Sequence, residues 1–199
     1  MRKIGFIGLG NMGKGMSINL SKENLEIIGY DINDNAYKNL QDNKILIANN
    51  LNQLISESEI IITMLPDGVA VEKVWSEIIS FSRPGQYFID CSTIDVKTSK
   101  SVQMQAREKG LLTLDAPVSG GVIGADRGTL TFMVGGASKT YEALDFLLWR
   151  WKTQISREWY PYLLRFKHDL QILDKRLSFN RILKTQTHPT QHVLKHRRD

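Results

Sequence analysis

Three glycines near the amino terminus, Gly8, Gly10 and Gly13, follow a short apolar run that begins at Lys3. Glycines at this spacing allow a strand to turn sharply into a helix, and they keep side chains away from the turn. The free N–H groups and the positive end of the helix dipole then face an anion. The spacing therefore predicts a site for the pyrophosphate of a dinucleotide; the alternative is a strand-to-helix turn without a ligand.

The residue that ends the second apolar run, Asp31, lies 18 residues after Gly13. A carboxylate at this spacing accepts hydrogen bonds from the hydroxyls of an adenosine ribose. Ile32 and Asn33 come next, so no cation stands where a 2′-phosphate would require one. We therefore expect NAD rather than NADP as the cofactor. The alternative is that Asp31 is a loop carboxylate or caps the turn that follows it.

The elements that must position these residues can be predicted from the hydrophobic pattern. Apolar runs alternate with helical patterns, which is typical of a parallel sheet with crossover helices. The pattern predicts an α/β fold with a doubly wound, mostly parallel sheet of the Rossmann type. Predicted strands are 3–7, 26–30, 60–64, 87–91, 112–115 and 129–134, with a short strand or a loop at 45–47. Predicted helices are 12–22, 36–42, 50–56, 69–80, 97–109 and 139–148.

Three further segments lie where the predicted strands end, which is where ligands bind in open α/β sheets. Met64–Gly68 contains a proline that ends the strand and turns the chain, either over the cofactor or as a simple loop breaker. Ser92–Asp95 carries hydroxyls that suit a nicotinamide or a ribose, although such residues also cap helices. Ser119–Gly121 offers a hydroxyl and successive N–H groups, which suit a small carboxylate, although turn geometry also explains its glycines.

Taken in order, these segments resemble the β-hydroxyacid dehydrogenase family. The segments that carry the resemblance are Gly5–Gly13, Thr63–Pro66, Asp90–Asp95, Asp115–Gly121 and Gly124–Gly136. The resemblance covers residues 1–147, and it leaves open which member of the family, and hence which β-hydroxyacid, is concerned. It implies an NAD-dependent enzyme that oxidises a primary alcohol by hydride transfer to the cofactor.

The resemblance also implies roles for individual residues. The residues that would contact the cofactor are Gly8, Gly10, Asn11, Met12, Gly13, Asp31, Leu65, Pro66 and Thr93. The residues that would bind the carboxylate of a small β-hydroxyacid substrate are Ser119, Gly120 and Gly121. The family further uses a lysine on a later long helix, followed after three or four residues by an asparagine, to manage the proton of the hydroxyl group.

The composition changes abruptly near residue 147. Residues 1–147 contain 14 Lys and Arg against 17 Asp and Glu, a net charge of −3, together with all 15 glycines. Residues 148–199 contain 12 against 4, a net charge of +8, together with all four histidines. We therefore predict an NAD-binding Rossmann domain over residues 1–147 and a short irregular or helical basic tail over residues 148–199, in place of the helical domain of the family.

The basic tail lacks the catalytic signature of the family. No lysine in it precedes an asparagine by three or four residues, so no residue of this chain is assigned as catalytic. We expect residues from about 148 onward to result from a reading-frame shift or an equivalent truncation. We also expect the chain to bind NAD and to turn over little substrate, because loss of a positioned acid or base typically costs about 10²–10⁴-fold in rate.

The composition of the basic tail bears on two further kinds of partner. Basic charge with interleaved aromatic residues suits a nucleic acid or an acidic membrane surface, but no motif accompanies it, and charged runs are usually solvated faces. We therefore assign neither partner. His188, His192 and His196 recur every four residues, but Pro189 lies among them without a nearby pattern of carboxylates, so no metal site is expected.

The sequence also bears on membrane insertion, cellular compartment and assembly. No run approaches the roughly 18 apolar residues that a membrane-spanning helix needs. The single cysteine, Cys91, fits a reducing compartment, so we expect a cytoplasmic protein. Without the helical domain of the family, apolar surface of the nucleotide-binding domain would be exposed, which favours association into a homo-oligomer.

Overall fold

The computed structural model describes residues 3–23 and 25–150, and its main feature is a seven-stranded sheet. The strands are β1 (Lys3–Ile7), β2 (Glu26–Tyr30), β3 (Ile45–Ile47), β4 (Ile60–Thr63), β5 (Tyr87–Asp90), β6 (Leu112–Asp115), β7 (Val118–Ser119), β8 (Thr131–Phe132) and β9 (Gly135–Gly136). The sheet order is β3-β2-β1-β4-β5-β6-β9, and its strands are parallel except for the antiparallel pair β6 and β9. β7 and β8 form a separate antiparallel pair. The predicted α/β fold with a mostly parallel sheet is confirmed.

Four of the six α-helices in the described residues connect parallel strands of the sheet. The helices are α1 (Gly13–Ser21), α2 (Leu51–Glu57), α3 (Gly68–Phe81), α4 (Val96–Glu108), α5 (Gly121–Arg127) and α6 (Ser138–Arg150). Side chains at the amino-terminal caps of α2, α3 and α4 accept hydrogen bonds from N–H groups in the first turn; the caps are Asn50, Asp67 and Asp95. Such caps satisfy N–H groups that have no partner within the helix, so they fix where each helix begins.

Both faces of the sheet are covered, as the sheet's near-continuous apolar strands require. Alternate residues of β1 point to opposite faces: Phe6 belongs to one buried cluster and Ile7 to the other. The first cluster includes residues of α1 and α6, among them Met16, Leu20, Leu144 and Leu147. The second includes residues of α2, α3 and α4, among them Leu54, Trp75 and Val102. The strand ends are thereby fixed between two helical layers.

Three predicted elements differ from the structure. The helix predicted at 36–42 is wrong: short 3₁₀ helices, Asp34–Tyr37 and Gln41–Asn43, replace it, and Asn39 between them has a φ of 66°. The strand predicted at 129–134 is reduced to the two residues of β8. The glycine-rich segment before it, where no helix was predicted, contains the helix α5. The basic tail from residue 151 onward lies outside the described residues.

Candidate cofactor and substrate site

The glycine turn follows β1 directly and is held by its neighbours. Gly8 has a φ of 91°, and its N–H donates to the carbonyl of Tyr30 at 3.0 Å. A Cβ atom on Gly8 would lie 2.3 Å from the carbonyl oxygen of Met64, and one on Gly13 would lie 1.8 Å from the carbonyl oxygen of Gly8. Packing within the protein therefore requires glycine at both positions.

Gly10 differs from these two glycines, because none of the residues that the structure describes requires a glycine there. A Cβ atom on Gly10 would have no atom of those residues within 4 Å, and Gly10 is exposed and does not have a positive φ. Open space beside a glycine at the start of a helix is what a dinucleotide diphosphate needs in order to approach the backbone. The residues present therefore fit the cofactor that the sequence predicts.

The amino terminus of α1 lies next to this open space. Its cap residue, Met12, makes no side-chain cap hydrogen bond, and the first turn contains no acidic residue. Asn11 is exposed and Met12 is half-buried, where it packs against the core. The first turn of a helix has N–H groups without partners inside the helix, and the helix dipole favours an anion there.

Asp31 lies at the end of β2, beside the glycine turn. Its Oδ2 accepts a hydrogen bond of 2.7 Å from the amide of Leu9, and its Oδ1 accepts one of 2.8 Å from the amide of Asn33. The carboxylate is half-buried and faces the turn, while Ile32 next to it is 90% exposed. Asp31 thus caps the following turn, as one alternative held, and also contacts the loop that the glycines form.

Sequence reasoning missed Tyr37, which holds the backbone of Asp31. The Tyr37 hydroxyl donates to the carbonyl of Asp31 at 2.5 Å and accepts from the amide of the same residue at 3.1 Å. Burial of the ring is the main cause that raises the pKa of the Tyr37 hydroxyl above its usual value, so the group stays protonated and can donate. No sequence pattern marked this tyrosine, because its partner is a backbone group.

In each of the two loops that follow β4 and β5, a buried residue is followed by an exposed one. Leu65 is buried, whereas Pro66 is exposed. Ser92 is buried, and its hydroxyl donates to Oδ1 of Asp90 at 2.6 Å and accepts from the amide of Leu65 at 2.9 Å. The Ser92 hydroxyl is therefore hydrogen-bonded to other groups of the protein. The hydroxyl-bearing Thr93 is exposed and remains open to a ligand.

Asp90, at the end of β5, is the centre of a buried polar group of residues that sequence reasoning did not assign. Its Oδ1 also accepts from the Thr63 hydroxyl at 2.8 Å, and that hydroxyl accepts from the indole N–H of Trp75 at 3.3 Å. Burial is the largest cause that raises the pKa of Asp90, to about 6, against the hydrogen bonds from Ser92 and Thr63 that lower it, while Asp115 raises it further.

The segment predicted to bind a carboxylate is placed by contacts between α5 and α1. Ser119 ends β7, opposite Thr131 of β8, and Gly120 and Gly121 are exposed at the start of α5. The Asn19 side-chain amide of α1 donates to the carbonyls of Ala125 at 2.7 Å and Asp126 at 3.1 Å.

These helices pack closely because of Gly15, two residues after the last glycine of the turn. A Cβ atom on Gly15 would lie 2.6 Å from Oδ1 of Asp126 and 2.9 Å from the backbone carbon of Ala125. The helix that starts at the predicted substrate segment is thereby fixed to the helix that starts at the predicted cofactor turn. The structure thus brings these two parts of the site into one packed unit.

A match to a protein-family model identifies the family of this chain. A family model described as the NAD binding domain of 6-phosphogluconate dehydrogenase matches residues 3–156. The chain belongs to this family. Membership confirms the resemblance to β-hydroxyacid dehydrogenases and the expectation of NAD as the cofactor of this domain.

Individual relatives of this NAD-binding domain carry a more specific name. The human mitochondrial 3-hydroxyisobutyrate dehydrogenase is 39% identical over 148 residues, covering 73% of this chain and 44% of the relative. The 3-hydroxyisobutyrate dehydrogenase of Drosophila melanogaster, also named mitochondrial, is 39% identical and covers 74% and 46%. The chain spans about half the length of the curated relatives that it matches.

A solved structure has the same name and a similar fold. The 3-hydroxyisobutyrate dehydrogenase of Mycobacterium tuberculosis, described with L-serine, is 38% identical with a TM-score of 0.73, covering 76% of this chain and 52% of that chain.

Among the residues that the structure describes here, no helix is long and apolar enough to cross a membrane. Within the same residues, no group of three or more His, Cys, Asp or Glu is arranged to hold a metal ion.

Proposed function

We propose that the described domain binds NAD for a 3-hydroxyisobutyrate dehydrogenase reaction. In that reaction 3-hydroxyisobutyrate is oxidised to methylmalonate semialdehyde, a step of valine degradation, and the cofactor takes the hydride. The observation that carries the proposal is the open space at Gly10, between two glycines that packing requires, with the carboxylate of Asp31 beside the same turn. The printed names of the relatives support the choice of substrate.

Each predicted cofactor residue has a distinct task in this proposal. Backbone N–H groups from Gly8 to Gly13 hold the diphosphate, and Asp31 accepts hydrogen bonds from the adenosine ribose. Leu65 and Pro66 border the adenine side, and the exposed Thr93 lies on the nicotinamide side. Ile32, beside the carboxylate, provides no cation for a 2′-phosphate, which supports NAD over NADP.

The substrate carboxylate is assigned to the segment from Ser119 to Gly121. Its hydroxyl and backbone amides orient the β-hydroxyacid, and orientation of two reactants accounts for a large part of the acceleration by many enzymes. No residue that the structure describes is assigned as the acid or base for the hydroxyl proton. A chain that holds cofactor and substrate without that group should react about 10²–10⁴-fold more slowly than a complete enzyme.

A second candidate function is a residual NAD-binding module without catalysis, favoured by the absence of a lysine matching the family's catalytic position. We also propose a domain boundary near residue 147 and a cytoplasmic protein; the single cysteine, which is buried, supports the second of these proposals. Homo-oligomer formation is likewise proposed, with exposed apolar side chains such as Val122 and Ile123 in its support.

Titration of NAD and a turnover assay on the same sample test these alternatives. We expect saturable NAD binding, weaker NADP binding and slow NAD reduction with 3-hydroxyisobutyrate. NAD binding without any turnover would favour the module. Reduction of tartronate semialdehyde by NADH, faster than oxidation of 3-hydroxyisobutyrate, would favour a tartronate semialdehyde reductase-like enzyme instead. A folded sample that does not bind NAD would contradict the whole proposal.

A further inference from the structure

Asp90 and Thr63 occupy matching positions at the ends of two neighbouring strands. They are register partners in the parallel pair of β4 and β5, and both are buried, with 1% exposure each. Beyond these two residues the chain enters the loops that carry Leu65 and Thr93. The side-chain bond between Asp90 and Thr63 therefore joins the last residues before both loops.

A single oxygen of the Asp90 carboxylate accepts hydrogen bonds both from the end of β4 and from the loop after β5. Its Oδ1 accepts from the Thr63 hydroxyl at 2.8 Å, from the Ser92 hydroxyl at 2.6 Å and from the Ser92 amide at 3.1 Å. Hydrogen bonds to an ionised acceptor are stronger than those between neutral groups. One buried oxygen thus fixes the side chain of Thr63 at the end of β4 and both the hydroxyl and the amide of Ser92 in the loop after β5.

Ser92 connects Asp90 to the loop after β4 through a second hydrogen bond. Its hydroxyl accepts the amide hydrogen of Leu65 at 2.9 Å, which gives that buried amide a partner from the other loop. Leu65 in turn lies against the glycine turn: a Cβ atom on Gly8 would be 3.2 Å from a methyl carbon of Leu65. A continuous set of contacts therefore leads from Asp90 through Ser92 and Leu65 to Gly8.

A buried carboxylate usually adds little to the free energy of unfolding, because it must be desolvated. The free energy needed to desolvate an ion often exceeds the free energy that its hydrogen bonds provide. A protein with an apolar side chain of similar volume in its place is often no less stable. Asp90 also lies opposite Asp115 of β6, its register partner, which adds a like charge. An arrangement that costs stability here is better explained by the geometry that it imposes on the two loops.

We propose that Asp90 is a positioning residue that locks the loops after β4 and β5 together, through Thr63 and Ser92, and so sets the affinity for the dinucleotide. The inference rests on the proposed cofactor site. Asp90 itself is buried and acts through Leu65 and the exposed Thr93, which border that site.

The test compares NAD dissociation constants of folded variants with their thermal stabilities. Ser92→Ala removes the acceptor of the Leu65 amide, and Thr63→Val removes a hydroxyl with little change of shape. We expect each to raise the NAD dissociation constant about tenfold, as loss of one restraint of this kind would. Thr113→Val is the matched control, since Thr113 is also a buried strand threonine, and its hydroxyl donates to Gln103 at 2.8 Å.

The control separates positioning from general stability. Thr113→Val should lower the melting temperature by an amount similar to Thr63→Val while changing the NAD dissociation constant less than about twofold. Asp90→Asn keeps an oxygen acceptor and should bind NAD within about threefold of the unmodified chain, whereas Asp90→Leu should lose about tenfold or more.

The possible results distinguish this inference from the cofactor assignment. If Ser92→Ala and Thr63→Val are folded and bind NAD as tightly as the unmodified chain, the positioning role of Asp90 is overturned. Equal losses of affinity in Thr63→Val and Thr113→Val would also overturn it, because they would show an effect of stability alone. If the unmodified, folded chain does not bind NAD, the cofactor site itself is wrong.

Discussion

The amide of Leu9 donates a hydrogen bond of 2.7 Å to Oδ2 of Asp31, and this bond joins the glycine turn after β1 to the end of β2. The carboxylate is thereby held at the edge of the turn where the diphosphate is proposed to bind. Its hydrogen bond from Asn33 fixes the second oxygen as well. A carboxylate held at two oxygens retains further lone pairs, which can accept the ribose hydroxyls without reorientation.

Replacement of this carboxylate should weaken cofactor binding. Asp31→Ala removes the proposed acceptor for the ribose and the acceptor of the Leu9 amide, so the NAD dissociation constant should rise about 10–100-fold. Asp34→Ala is the control, because Asp34 is an exposed aspartate three residues later, at the start of the 3₁₀ helix Asp34–Tyr37. Isothermal titration of both variants with NAD measures the difference. Equal affinity of Asp31→Ala and Asp34→Ala would rule out the ribose contact.

A methyl group at Gly10 should affect the ligand rather than the fold. Since a Cβ atom there meets nothing within 4 Å, Gly10→Ala should change the free energy of unfolding by less than about 0.5 kcal/mol. It should nevertheless raise the NAD dissociation constant by about tenfold or more, because the methyl group occupies the space of the diphosphate. Urea denaturation and NAD titration of the same sample separate the two effects.

Gly13→Ala provides the contrast, since its Cβ atom would lie 1.8 Å from the carbonyl oxygen of Gly8. This variant should lose stability, by about 2 kcal/mol or more, as well as NAD binding. If Gly10→Ala also proved strongly destabilising, the open space at Gly10 would not be a ligand site. If it bound NAD normally, the diphosphate would have to lie elsewhere.

The strands and the glycine turn could be predicted because their signals are local. β1, β2 and β6 have the predicted bounds, and a glycine or an aspartate marks each end: Gly8 follows β1, Asp31 follows β2, and Asp115 is the last residue of β6. The helix predicted at 36–42 failed for a local reason as well. Asn39 has a φ of 66°, which interrupts a regular helix, and Lys44, with a φ of 59°, ends the second 3₁₀ helix.

The polar contacts at the strand ends could not be predicted, because they depend on register. Thr63 and Asp90 are 27 residues apart in the chain, and only the parallel pairing of β4 with β5 makes them neighbours. Asp90 was part of a recognised segment, yet the sequence could not show that Ser92 points inward and Thr93 outward. Likewise, Gly15 does not reveal α5 as its partner until both helices are placed.

The contact between α1 and α5 can be tested at Asn19. Asn19→Ala removes the hydrogen bonds to the carbonyls of Ala125 and Asp126, so the free energy of unfolding should fall by about 1–2 kcal/mol. Asn43→Ala is the matched control: its amide makes one exposed bond, of 2.7 Å, to the carbonyl of Asn39 in the same loop. Urea denaturation should show a loss below about 0.5 kcal/mol for the control. Equal losses would mean that Asn19 does not hold α5.

The titration of Asp90 should appear as a difference in stability between the unmodified chain and Asp90→Asn. Burial raises the folded-state pKa from 3.8 to about 6. The groups that face Asp90 are the hydroxyls of Thr63 and Ser92 and the carboxylate of Asp115, while the thiol of Cys91 stays protonated because burial raises its pKa. The folded chain therefore binds the Asp90 proton more tightly than the unfolded chain does.

It follows that the contribution of Asp90 to stability is present in full below pH 3.8 and is lost as the pH rises through about 6. One pKa unit corresponds to about 1.4 kcal/mol, and at pH 4 the unfolded carboxyl is already partly ionised, so Asp90→Asn should gain about 2.4 kcal/mol relative to the unmodified chain between pH 4 and pH 7.5. Urea denaturation of both proteins across this range measures the difference, and the other titrating groups cancel in it. A difference that does not change with pH would show that the Asp90 carboxyl has the same pKa in the folded and unfolded chains.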